Sequence, residues 1–162
     1  MDKEKKRKRP VSEEAMRLRM ADLCARTEQC SADLREKMRR AGLASDAIER
    51  ILTALKEQKF LDDSRFARAY ARDKSRFAGW GVMKIRQGLA AKRISAPDIA
   101  QGIAAIDRRE YIDAFKRAAL AKARSLDLTE PTDVQKLYRH LASRGYEGAL
   151  ISKVINYLRS HQ

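Results

Sequence analysis

Three stretches of this chain decide its fold: LREKMRRAGLASDAIERIL (residues 34–52), IRQGLAAKRISAPDIAQGI (residues 85–103) and LYRHLASRGYEGALISKVI (residues 137–155). Leu34, Met38, Leu43, Ile48 and Leu52 of the first recur at identical spacing as Ile85, Leu89, Ile94, Ile99 and Ile103, and again as Leu137, Leu141, Tyr146, Ile151 and Ile155. Five apolar positions matched in three frames describe an internal repeat with a period of about 50 residues. Gly42 and Gly145 stand just before Leu43 and Tyr146, where a helix is expected to end in a left-handed residue. Arg93 takes that place in the second frame, so its turn is expected to close differently. Beyond the turn, Ile48, Ile51, Leu52 and Leu55 are matched by Ile99, Gly102, Ile103 and Ile106 and by Ile151, Val154, Ile155 and Leu158. Apolar residues at i, i+3, i+4 and i+7 form one buried face of a helix.

Each pair of helices has room for another upstream. Met16, Met20 and Leu23 serve the first, Phe66, Tyr70 and Phe77 the second, and Tyr111, Phe115 and Ala119 the third. Asp46 with Glu49 and Asp107 with Glu110 read as capping boxes, and Ser95 before Pro97 and Asp98 reads as a helix start. Pro131, in the one loop of distinct composition (residues 126–132), blocks helix continuation. The expected fold is all-α: three tandem three-helix, helix-turn-helix-like repeats forming an elongated, curved molecule. Its expected boundaries are a basic disordered tail at 1–12, then repeats at 13–60, 61–106 and 107–162. Repeats of this size sit near the lower limit of independent stability, so neighbours are expected to share contacts.

Charge narrows the function. Thirty-six basic residues against 22 acidic give +14, and the first ten residues account for only +4 of it. The surplus on the folded part implies a polyanionic partner. In helix-turn-helix proteins the recognition helix enters the major groove, yet the third helices here carry net charges of zero, −1 and +1 over residues 45–59, 95–106 and 147–160. The positive charge belongs to the first two helices of each repeat. Residues 63–77 hold Arg65, Arg68, Arg72, Lys74 and Arg76 against two acids, and residues 82–93 hold Lys84, Arg86, Lys92 and Arg93 against none. Arg68, Arg72 and Arg76, four apart, form a stripe suited to tracking phosphates without reading bases. Arg68, Arg72, Arg76, Lys84, Arg86, Lys92 and Arg93 are therefore the expected contact surface, with Lys37, Arg39, Arg40, Arg139 and Arg144 extending it.

No catalytic constellation can be assembled. A phosphate-binding glycine loop and paired metal-ligand spacings are missing, and His140 and His161 have no nucleophile implied nearby. No enzyme activity, metal or cofactor is expected. The adjacent Asp62 and Asp63 suit capping of the helix that follows better than metal binding. Phe66 and Tyr70 read as core, whereas Trp80, between Gly79 and Gly81, either stays exposed or folds back as a lid. Cys24 and Cys30 read as reduced thiols of a cytoplasmic protein. No apolar run reaches the length of a membrane span and none follows the basic N-terminal stretch, so neither membrane nor secretory signal is expected. A monomer is expected, because the apolar positions are used up within the repeats.

The stretch KFLDDSRFARAYARDKSRFAGWGVMKIRQGLAAKRI (residues 59–94) resembles the central signature of the RecX family of bacterial recombination regulators. RTEQCSADLREKMRRAGL (residues 26–43) and LYRHLASRGYEGALISKVI (residues 137–155) resemble its first and third repeats. Two departures stand out: Arg93 replaces a usual glycine, and TEQC replaces the common basic, acidic, His, Ser entry to the first repeat. The resemblance implies a non-catalytic regulator, most often an inhibitor, of the RecA recombinase. Such a regulator binds the groove of the RecA–DNA filament and limits ATP hydrolysis, filament extension and strand exchange; the charge placement, not the resemblance, adds single- and double-stranded DNA as expected partners through phosphate contacts. The residues alone also allow a stand-alone, non-sequence-specific DNA-binding or architectural protein, or an adaptor whose charge serves solubility. Steep loss of affinity with salt separates phosphate binders from the adaptor.

Overall fold

The computed structural model describes residues 11–161, so of the basic tail expected at 1–12 only Val11 and Ser12 lie among the described residues. Within them the chain is all-α. Helices α1 (Glu13–Arg26), α2 (Ser31–Arg40) and α3 (Ser45–Glu57) form the first repeat. Helices α4 (Asp63–Arg76), α5 (Val82–Ala91) and α6 (Ala96–Ala104) form the second, and α7 (Arg108–Ala123), α8 (Pro131–Ser143) and α9 (Gly148–Ser160) the third. The chain divides into two compact units, one ending at Asp63 and one beginning at Ser64.

In the first unit, Met16 and Met20 of α1, Leu34 and Met38 of α2, and Ile48, Ile51, Leu52 and Leu55 of α3 form one core that Leu61 completes. Full burial of such a side chain contributes about 1.5–3 kcal/mol, so the repeating positions dominate the stability of the unit. Cys30 is buried and Cys24 packs at the edge of this core. Ser12 caps α1 by accepting from the Ala15 N–H at 3.1 Å. The N-terminus of α2 is capped from a distance: its N-cap residue, Cys30, makes no side-chain cap, and Asp63 Oδ1 accepts from the Ser31 N–H at 2.7 Å. Of the adjacent Asp62 and Asp63 expected to cap α4, Asp63 thus serves α2. The expected Asp46–Glu49 capping box does not form either. Helix α3 starts at Ser45 behind Ala44, which puts Asp46 inside the first turn, paired with Arg50, while Glu49 pairs with Arg35.

In the second unit, the third repeat builds its core from Tyr111, Phe115 and Ala119 of α7, Leu137 and Leu141 of α8, Tyr146, and Ile151 and Ile155 of α9. Leu128, from the loop before α8, closes it. Pro131, expected to block helix continuation, does not stop α7, which has already ended at Ala123; it opens α8, occupying the first turn, where its missing N–H costs nothing. The second repeat packs more closely. A Cβ on Gly102 of α6 would lie 2.8 Å from the Ala67 carbonyl oxygen, and one on Gly88 of α5 would lie 2.3 Å from the Tyr70 hydroxyl. Here α4 buries Phe66, Ala67, Ala71 and Ser75. Phe77, expected in that core, is 77% exposed, because the helix ends at Arg76 and the chain turns away.

The second helix of every repeat ends in one hydrogen-bond pattern. Gly42 N–H donates to Arg39 O and Leu43 N–H to Met38 O; Gly145 donates to Ala142 O and Tyr146 to Leu141 O. Arg93 donates to Ala90 O and Ile94 to Leu89 O, with Arg93 itself left-handed at φ 57°. The expectation of a different closure is overturned. The buried anchor Ile94 fixes the turn, and the arginine backbone accepts the left-handed region at a cost of about 1 kcal/mol. The apolar positions are not all used up either: Leu120 and Tyr157 are exposed beside an open groove between α7 and α9.

Candidate nucleic-acid interface

The basic face of the second repeat is built on α4 and α5. Burial of Phe66, Ala67 and Ala71 turns the positions of Arg68, Arg72 and Arg76 off the core side of α4. Arg72 and Arg76 are exposed; Arg68 is half-buried and its Nη1 donates to Ser64 Oγ at 2.8 Å. Ser64 in turn donates to Gln101 Oε1 of α6 at 3.0 Å, which steadies the first guanidinium. On α5, burial of Ile85 and Leu89 leaves Arg86 exposed, and Arg93 is exposed in the turn that follows. Lys92 is half-buried with its Nζ 5.9 Å from the centre of the Phe66 ring. Among the described residues, Arg72, Arg76, Arg86 and Arg93 have no carboxylate partner.

Trp80 folds back rather than projecting. It is half-buried, its ring meets that of Tyr70 edge-on at 6.4 Å, and Lys74 Nζ and Lys84 Nζ stand 4.7 and 4.6 Å from its centre. Attraction between ammonium groups and an aromatic face at this range is worth about 0.5–1 kcal/mol each and holds both charges near one ring. Lys74 thereby joins the basic surface. Its place five residues before Gly79 of the glycine-flanked loop was visible in the sequence, but its coupling to Trp80 depends on how that loop folds.

The loop is held by the third repeat. Gly81 N–H donates to Arg144 O at 2.7 Å, Val82 N–H to the Tyr111 hydroxyl at 3.1 Å, and Met83 N–H to Gly145 O at 2.9 Å. These are the orphan donors at the start of α5, satisfied by the α8–α9 turn and α7. The Tyr111 hydroxyl donates to Glu147 Oε2 at 2.6 Å; burial first, and then this carboxylate, hold its phenol above the usual tyrosine range. Tyr146 donates to Gly79 O at 3.0 Å, and Arg144 donates through Nε and Nη2 to Gly79 O and Ala78 O, both at 3.4 Å. Arg144 therefore acts as a strut between repeats. Only glycine fits at position 81, where a Cβ would lie 2.2 Å from the Gly145 carbonyl.

The remaining expected contacts differ in availability. Lys37 and Arg139 are exposed. Arg39 and Arg40 both pair with Glu36 at 2.7 Å, and their hydrogen bonds hold its carboxyl down at about 2. These two charges are partly neutralised within the chain. Among the described residues no cluster of His, Cys, Asp or Glu could hold a metal ion, and no helix is long and apolar enough to cross a membrane.

Comparison with known proteins adds to this geometry. Residues 62–103 match the second three-helix domain of RecX and residues 109–155 the third. A regulatory protein RecX of Prosthecochloris aestuarii is 32% identical over 133 residues, covering 81% of this chain and 85% of that protein. One of Clostridium botulinum is 33% identical over 125 residues, covering 75% of this chain; the chain spans 58% of that relative's length. Among solved structures, a crystal structure of RecX from Lactobacillus salivarius superposes with a TM-score of 0.78 at 17% identity, covering 91% of this chain and 96% of that one. Another regulatory protein RecX superposes equally well, at 23% identity, over 89% of this chain and 73% of that one. These likenesses show the fold.

Proposed function

The chain belongs to the RecX family of regulatory proteins, and from that premise we propose that it restrains the RecA recombinase by binding the RecA–DNA filament. It acts as an inhibitor of filament extension, ATP hydrolysis and strand exchange, and has no catalytic chemistry of its own. The observation that carries this reading is a coincidence of place. The basic face without carboxylate partners, Arg72, Arg76, Arg86 and Arg93, falls inside the segment that matches the second RecX domain. That face meets DNA phosphates exposed along the filament, and other surfaces of the repeats meet recombinase subunits. Distributing contacts over tethered repeats raises affinity, since each docked repeat holds the next near its site. A stand-alone sequence reader is disfavoured by the near-neutral third helices, which carry a single charged residue, Asp98, in the case of α6.

The direct test follows growth of cognate recombinase filaments on single-stranded DNA by light scattering. Addition of this protein at ratios to recombinase far below one is expected to stall growth. Undisturbed extension up to equimolar protein would overturn the reading.

A further inference from the structure

Where α4 ends, a second concentration of positive charge gathers in an open cleft of about 540 Å³ among α4, α7 and α8. Arg76, Arg117, Lys122 and Arg144 line it together with His140, and none of the lining residues is acidic. Its floor is the small-residue face of α7, Ala114, Ala118 and Ala121, which leaves room for a chain to lie close to the helix. The Arg144 guanidinium is anchored on Ala78 and Gly79 carbonyls through Nε and Nη2, which leaves Nη1 for a ligand and fixes the cation before anything binds. Burial first, then the nearby charges of Arg144 and Lys122, hold the His140 imidazole below its usual range, consistent with convergent cations. At the rim stands Phe77, 77% exposed, with the Arg76 guanidinium 5.5 Å from its ring centre.

Cations over a shallow floor with an aromatic ring at the edge are the components of a single-strand site: phosphates lie on the guanidinium and ammonium groups, and an unstacked base lies on the ring. We infer that this cleft binds the backbone of single-stranded nucleic acid, with one base stacked on Phe77. The inference rests on the nucleic-acid-facing reading above and assigns it a place. Duplex DNA, whose bases are stacked on one another, cannot use Phe77 in this way.

The test measures binding of the full chain to a labelled oligothymidylate and to a duplex of equal length, by fluorescence anisotropy at several salt concentrations. Phe77→Ala is expected to weaken single-strand binding about fivefold or more with an unchanged salt slope, and to leave duplex binding within about twofold. Arg117→Gln with Lys122→Gln is expected to reduce the single-strand salt slope by about 1.4, the signature of two phosphates. Arg117 is exposed and Lys122 half-buried, neither makes an internal ion pair among the described residues, and thermal unfolding checks that the variants fold. Wild-type affinity in Phe77→Ala, or an unchanged slope in the double variant, overturns the assignment. So does an equal loss on duplex, or a wild-type chain that fails to bind the oligothymidylate at low salt. Filament growth reports separately. Variants that bind the strand like wild type while the wild type stalls filaments defeat the cleft and leave the regulator reading intact; the opposite pattern defeats the regulator reading alone.

Discussion

Arg93 and Lys59 hold left-handed backbone, at φ 57° and 61°, without a glycine's freedom. At Arg93 the cost is accepted at a position whose side chain extends the basic face. Arg93→Gly is expected to stabilise the protein by up to about 1 kcal/mol while weakening DNA binding, a pair of opposite effects read by chemical denaturation and by anisotropy. Unchanged DNA affinity would remove Arg93 from the contact surface. Gly81 shows the reverse case. Its Cβ would meet the Gly145 backbone at 2.2 Å, so Gly81→Ala must part the α5 start from the α8–α9 turn and strain the Gly81 and Met83 hydrogen bonds. A loss of about 2 kcal/mol or more is expected, with faster amide hydrogen exchange at positions 81 to 83. Gly42 has open space around its Cβ position, so Gly42→Ala carries only the backbone strain of φ 88°.

At the scale of elements, most of the architecture was legible because buried faces repeat. Every one of the fifteen matched positions is buried or half-buried, including Leu34, Ile85 and Leu137 at the same place in three helices. Local patterns also gave the Asp107 and Ser95 caps, which accept from the Glu110 and Asp98 N–H groups. The errors have separate causes, only one of them a residue distant in sequence. Asp63 caps α2 across 32 residues, Arg93 follows its anchor rather than its own preference, and Phe77 lies one residue past the end of its helix. The charge of the candidate face was legible, but not its division of labour: Arg144 serves as a strut, and Arg39 and Arg40 are held by Glu36. The α4 stripe remains the part of that face with the clearest test. Replacing Arg68, Arg72 and Arg76 with glutamine is expected to lower the salt slope of DNA binding by about 2 to 3, depending on the form of the DNA. An unchanged slope would remove the stripe from the interface.

For the whole molecule, the second and third repeats form one unit through the seam at Gly81, Gly145 and Tyr111, while the first repeat closes its own core with Leu61. Among the described residues, positive charge without internal partners concentrates in the larger unit, the one that contains both matched RecX domains. Regulation of a filament by such a chain is a claim about stoichiometry: a few copies bound at growing or hydrolysing sites act on many subunits, whereas simple competition for DNA needs enough protein to cover it. The decisive measurement is ATP hydrolysis by the cognate recombinase preassembled on single-stranded DNA, with this protein titrated from far below to equal stoichiometry. A saturable fall at ratios too low to coat the DNA is the predicted result; hydrolysis that stays constant while the protein binds bare DNA tightly and salt-sensitively would contradict the account.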